Sequence, residues 1–205
     1  MTEVMLKLAL GAVILLGNNQ ASQTPESGQV GNPALRSELL DRLERDQNIR
    51  KELIAKGTQN PDQGLLDRME DIDSDNTARM TEIINRFGWP GPDLVGKDGT
   101  QAAFVLVQHG PLEFQEQVLP IVKEAYKARK LPGEDFALLE DRVLVSEGRP
   151  QIYGTQVQFK GKDLVPSPIE DPGNVDKRRA KLGMPPLAEY LKALKRSYFP
   201  DDKDK

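Results

Sequence analysis

The sequence has no cysteine and one histidine, His109, among its 205 residues. Without cysteine there is no disulfide framework, thiol nucleophile, CxxC redox pair or thiolate metal site. A single imidazole excludes the HExxH zinc enzymes and every multi-histidine metal centre, because those need two or more imidazoles at fixed spacing. A Ser-His-Asp arrangement needs only one histidine and stays open. The segment Gly88–Gly99 (GWPGPDLVGKDG) is glycine-rich but lacks the Lys-Ser/Thr ending of a phosphate-binding loop, and no dinucleotide fingerprint occurs. No cofactor is therefore expected. Neither sign of charge dominates: 28 basic and 32 acidic residues leave a net charge of −4. That balance speaks against a generic polyanion binder, hence against nucleic acid as a partner. The 17 glycines and 15 prolines are scattered, so they punctuate short elements and form no collagen-like or low-complexity tract.

The first 21 residues read as a secretory signal peptide. Lys7 is followed by the apolar run Leu8–Gly17 (LALGAVILLG), and Ala21 offers a small residue for cleavage. A core of about 7–15 apolar residues suits a leader, whereas a membrane span needs about 20. Glu3 is atypical for such a leader, and a core helix at the start of a cytoplasmic domain is the competing reading. Lipidation at this site is excluded by the lack of cysteine. The expected location is outside the cytoplasm, periplasmic or secreted, with membrane contact only through an uncleaved leader. Residues 22–32 form a polar linker, 33–199 a single globular domain and 200–205 a disordered tail.

Within 33–199 the pattern predicts a mainly α (α+β) fold: one helical domain with a small antiparallel β-hairpin near the C-terminal third. Asn32-Pro33 is a helix start signal, and Leu35, Leu39, Leu43, Ile49 and Leu53 follow at helical spacing until Gly57. A second helix begins near Pro61 and carries Leu65, Leu66, Met69, Ile72, Met80, Ile83, Ile84 and Phe87, ending at Gly88. With two prolines and four glycines, Gly88–Gly99 is expected to be a shaped loop. Ala102–His109 reads as a short, almost wholly apolar helix, followed by helices over Leu112–Lys130 and Asp135–Val145. Alternation over Gln151–Phe159 predicts a strand, turning at Lys160–Lys162 into Leu164-Val165. Helices over Val175–Lys181 and Pro186–Tyr198 complete the domain.

Polar residues on apolar stripes are the informative positions. Asp46 is three residues from both Leu43 and Ile49, and Asn76 is four from both Ile72 and Met80. Burying a carboxylate or an amide without partners costs several kcal/mol, so each needs a partner; Arg142 or a loop amide is a candidate for Asp46. His109 closes the apolar helix after Gln108. A helix C-terminus favours a positive imidazole, and histidine is the natural acid or base near neutral pH. The alternative is a histidine that caps its own helix. Asp141-Arg142 interrupts an apolar run, which makes Arg142 a candidate anion clamp or an ion-pair partner. Gly154 inside the expected strand marks a close approach; Gln151, Tyr153 and Thr155 would share one face, with Gln156 on the other. Arg178-Arg179 beside Asp176 could reach the same region. The acidic run Asp71–Asp75 (DIDSD) could hold Ca²⁺, although it lacks the EF-hand glycine and terminal glutamate; no metal site is assigned.

From about Asp46 to Tyr190 the chain resembles a bacterial family of unknown function found in exported and lipoprotein-like proteins. The resemblance rests on Asp75-Asn76, Gly88-Trp89-Pro90, Gly96, Gln108-His109, Asp141-Arg142, Gln151, Tyr153-Gly154-Thr155-Gln156, Asp176-Lys177-Arg178-Arg179, Gly183 and Tyr190. It implies a common polar pocket and nothing about substrate. Three readings follow. The chain is a cofactor-independent hydrolase or lyase, with His109, Asp46 and Asp141 as catalytic candidates, Asp75 as an alternative orienting acid, and Gln108, Asn76, Arg142, Tyr153, Gln156 and Arg178 holding a small polar or anionic ligand. It is a non-catalytic envelope protein binding such a ligand or a protein partner through the same pocket. Or the polar set is a folding network. The oligomeric state is not legible.

Overall fold

The computed structural model describes residues 30–56, 61–160 and 163–199. The leader, all but the last residues of the linker, Gly57, the turn residues Gly161-Lys162 and the tail from Pro200 lie outside them. The described chain is mainly helical, with seven α-helices and a two-stranded antiparallel hairpin near its C-terminal third. It divides into two compact units, one running to Ile121 and the other from Val122.

In the first unit, α1 (Pro33–Lys56), α2 (Gln63–Phe87) and α3 (Pro92–His109) pack on one another, and α4 (Leu112–Lys127) begins there. Asn32 caps α1 by accepting the Leu35 N–H at 3.0 Å, and Asp62 caps α2 in the same way at 3.1 Å. Such caps supply acceptors for otherwise orphaned helix N–H groups. The entry to α1 is pinned to the start of α3 by Gly31 N–H to Asp93 O and Asn32 N–H to Leu94 O. Leu39, Leu53, Leu65, Met80 and Ile83 are buried, as is the whole stretch Ala102–Val107, which explains why α3 lacks amphipathic character.

The expected loop over Gly88–Gly99 is corrected. The helix begins at Pro92, and only Gly96 departs from helical geometry, at φ 75° and ψ 168°. Proline at a first helical position is preorganised for a helix. The break falls on the residue that tolerates a positive φ. There Thr100 donates its hydroxyl to the carbonyls of Pro90 and Gly96 at 3.0 and 2.9 Å.

The second unit contains the end of α4, α5 (Gly133–Ser146), β1 (Val157–Lys160), β2 (Asp163–Pro166), a 3₁₀ turn at Pro172–Asn174, α6 (Val175–Lys181) and α7 (Leu187–Tyr198). The hairpin register runs from Val157 opposite Pro166 to Lys160 opposite Asp163. The strand expected from Gln151 is corrected to Val157. Residues 151–156 form an irregular loop with a single parallel bridge from Gln151 to Ile169. Asp141 is the reason: it takes the N–H groups of Ile152, Tyr153 and Thr155, leaving none of them for a ladder. Gly154 has φ +76°, and a Cβ there would lie 2.8 Å from a methyl of Leu187, so both conformation and packing demand glycine.

Candidate functional site

The first unit holds a buried charge cluster built from three helices. On α1, Asp46 and Arg50 are one turn apart and face α2 and α3. The Asp46 carboxylate accepts from His109 Nδ1 through both oxygens, at 2.8 and 2.9 Å. It also accepts from Arg50 Nη1 at 2.7 Å and from Gln47 Nε2 at 2.8 Å. Arg50 then reaches across to α2, placing Nη2 at 2.8 and 2.9 Å from the two oxygens of Asp73. Side-chain exposure is 0% for Asp46, 4% for Arg50, 3% for His109 and 13% for Asp73.

His109 is presented by the end of α3. Gln115, buried on α4, donates to the carbonyls of Gln108 and Gly110 at 3.1 and 2.8 Å, satisfying acceptors that the helix end leaves open. Gly110 lets the exit come close to α2, because a Cβ there would sit 3.1 Å from Thr77 Oγ1. Thr77 itself bonds back to the Asp73 carbonyl at 2.7 Å. The same helix pair thus positions both ends of the cluster.

A carboxylate can only accept, so the proton on this contact belongs to His109 Nδ1. Burial holds the imidazole below its ordinary pKa, and the nearby Arg50 charge adds to that against the pull of Asp46. Burial pushes the Asp46 carboxyl up, but the His109, Arg50 and Gln47 donors outweigh it and hold the group below its ordinary range. Asp73 is raised, chiefly by burial, although Arg50 opposes this. The arrangement is an ionised Asp46 orienting a neutral imidazole whose Nε2 carries the lone pair. Nε2 is buried and, among the described residues, has no hydrogen-bond partner. An unsatisfied buried acceptor costs about 1–3 kcal/mol, so its retention calls for an explanation.

One turn along α1, Arg42 bonds Asn76 Oδ1 at 3.0 Å and Asp75 at 2.7 Å. Asn76 Nδ2 is buried and has no partner among the described residues. Asp75 is therefore engaged with Arg42, and the orienting acid on His109 is Asp46. The run Asp71–Asp75 does not converge on a cation: Asp71 is exposed, Asp73 binds Arg50 and Asp75 binds Arg42. Among the described residues, no group of three or more acidic, histidine or cysteine side chains is arranged to hold a metal ion. A hollow of about 650 Å³ runs along α1, lined among the described residues by Ala34, Ser37, Glu38, Asp41, Arg42 and Arg45. Neither Asp46 nor His109 lines it.

The remaining expected site residues fall in the second unit. Asp141 is fully buried and accepts from the N–H groups of Ile152, Tyr153 and Thr155 at 2.7, 3.0 and 2.9 Å and from Thr155 Oγ1 at 2.9 Å. Burial pushes its carboxyl up against these donors, which favour the charged form. Gln151 clamps the same loop through both ends of its amide, to Gln156 and to the Ser167 carbonyl. Gln156 donates to the Leu138 carbonyl at 3.3 Å, and Arg178 donates from Nε to the Ile152 carbonyl at 2.9 Å. Arg179 donates to the carbonyls of Tyr153 and Pro185 and lies over the Tyr190 ring at 4.7 Å. Tyr153 packs edge-on against Phe136. Arg142 is half-buried on α5. These polar groups are bonded mostly to backbone, and what they hold is the shape of the 151–156 loop.

Sequence reasoning passed over Arg50 and Gln47, and took Asp73 only as part of the acidic run Asp71–Asp75. A signal was present: Asp73 continues the stripe Met69, Asn76, Met80, and Arg50 follows Asp46 by four. The class defined by this scaffold is a mainly helical protein with a buried carboxylate–imidazole pair in its first unit. A model of a family of unknown function, DUF6624, matches residues 33–202, and the chain belongs to that family. No curated protein and no solved structure matches the chain.

Proposed function

We propose that the chain is a cofactor-independent hydrolase or lyase in which His109 is the general base and Asp46 its orienting carboxylate. The observation that carries this reading is an imidazole whose Nε2 has no partner among the described residues and whose other nitrogen is fixed by both oxygens of Asp46. In such a pair Nε2 takes a proton from water or substrate, and the imidazolium that forms is stabilised by the adjacent carboxylate. Two carboxylates against one guanidinium and a neutral imidazole leave the cluster with excess negative charge. Gaining a proton at His109 relieves it, which favours base function and an uncharged substrate over an anion. Asn76 Nδ2 is the donor proposed to hold a substrate oxygen. Because Nε2 is buried, turnover requires local opening at the end of α3.

The lone histidine makes the test clean. In ¹⁵N-labelled protein the single imidazole should appear at neutral pH as the Nδ1–H tautomer. On a panel of ester, amide and C–O lyase substrates, His109→Gln should lower turnover by about 10²–10⁴-fold, the span typical of general acid–base catalysis. An Nε2–H tautomer, or equal turnover by both proteins, would overturn the assignment. The extreme burial of His109 favours a second, non-catalytic reading; a panel with no turnover by either protein supports that one.

Export is proposed on the leader pattern alone: Lys7, the apolar run Leu8–Gly17 and Ala21. The intact mass of protein recovered from outside the cytoplasm should lack about the first 21 residues, as that pattern predicts; a full-length chain retained inside would refute it.

A further inference from the structure

We propose that Asp73, acting through Arg50, is a positioning residue that sets how strongly His109 holds its proton. The inference rests on the acid–base reading of His109 and assigns the arm that tunes it. Arg50 stands between two carboxylates, giving Nη1 to Asp46 and Nη2 to both oxygens of Asp73. Asp46 is simultaneously the acceptor for His109 Nδ1. Arg50 and His109 therefore compete for one carboxylate, and Asp73 decides how much of the guanidinium is left for that competition. With Asp73 ionised, the Arg50 charge is divided between two acids. With Asp73 neutralised, it falls on Asp46, weakens the Nδ1–H contact and disfavours an imidazolium nearby.

The charged groups around His109 are few. Asp46 and Arg50 face it from α1, with the neutral Gln47 beside them, and Asp73 faces it from α2. Glu44, Arg45, Lys51 and Asp71 are exposed, and Arg42 and Asp75, one turn along, are bonded to each other. Asp73 is also the most water-exposed of the four ionisable members of the cluster, at 13% against 0–4% for the others.

The experiment follows the one imidazole by ¹⁵N and ¹H NMR across a pH series in the full chain, in Asp73→Asn and in Arg50→Gln. Asp73→Asn should move the His109 midpoint down by about one pH unit and shift the Nδ1 proton upfield at neutral pH, as expected for charges separated by one guanidinium. Arg50→Gln should move the midpoint up by a similar amount. If Arg50→Gln does not fold, the Nδ1 proton in Asp73→Asn still decides, because it needs neither titration nor the second variant. An unchanged Nδ1 proton in folded Asp73→Asn, or midpoints moving the same way in both variants, overturns the proposal. Those outcomes leave the Nδ1–H tautomer and His109-dependent turnover untouched, so this inference and the acid–base reading fail separately.

Discussion

Asp46 and Asp141 are both fully buried carboxylates, one in each compact unit, yet they are satisfied in different ways. Asp141 is closed by three backbone N–H groups and a hydroxyl of the loop 151–156. Asp46 is closed by side chains alone: an imidazole, a guanidinium and an amide. A carboxylate bonded to backbone fixes a chain path, because its partners cannot leave without the loop unfolding. A carboxylate bonded to an imidazole leaves the second ring nitrogen available for chemistry. The polar landmarks of the second unit hold a loop by backbone bonds, and those of the first carry the proposed site.

The largest expected effect tests the fold half of this contrast. Asp141→Ala should lower stability by about 3–5 kcal/mol, because it strands several buried donors at once. Denaturant unfolding followed by tyrosine absorbance is the suitable measurement, since all four tyrosines (Tyr126, Tyr153, Tyr190 and Tyr198) lie in the second unit. Gly154→Ala should cost about 1–3 kcal/mol through its positive φ and the Leu187 contact; a neutral result would mean the loop is not held as described.

pH separates the units further. His109 and Asp46 lie below their ordinary values, so in the first unit the unfolded chain binds more protons and stability falls as pH drops. The His109 share is present above about pH 6.5, the ordinary imidazole value, and is lost as pH falls through its lowered folded value. Raised Asp73 works against this trend at lower pH. In the second unit, burial raises Asp135 to about 8, with Glu134 adding to it. Its contribution is present below the ordinary aspartate value and is lost as pH rises through about 8. Trp89, the sole tryptophan, reports the first unit and the tyrosines the second. Between pH 5 and 8, taken as roughly the histidine window, the two signals should shift in opposite directions; parallel shifts would break the contrast.

The smallest expected effect concerns His109→Leu. Asp46 loses the Nδ1–H donor but keeps Arg50 and Gln47, and removal of a buried acceptor offsets part of that loss, so stability should fall by no more than about 1 kcal/mol. A loss as large as that of Asp141→Ala would make His109 a folding residue.

Helix placement was largely legible because caps and apolar spacing are local. Asn32 and Gly88 marked their boundaries correctly. The 151–156 segment was misread as strand because its alternation is genuine, whereas the carboxylate that captures its N–H groups sits ten or more residues earlier. The burial of Asp46 and Asn76 was legible from the stripes they interrupt, and the end-of-helix position of His109 from the glycine after it. The partner of Asp46 was not, since several basic residues satisfy the same sequence logic.

By itself the sequence determined the helical class, the hairpin, the exclusion of thiol and multi-histidine chemistry, and the presence of a single imidazole at a helix end. Those properties depend on residue identity and local spacing. Only the tertiary structure decided that His109 pairs with Asp46, that Arg50 links Asp46 to Asp73, and that Asp141 serves the backbone. Hydrogen bonds between side chains distant in sequence depend on how helices pack, and local pattern does not carry that information.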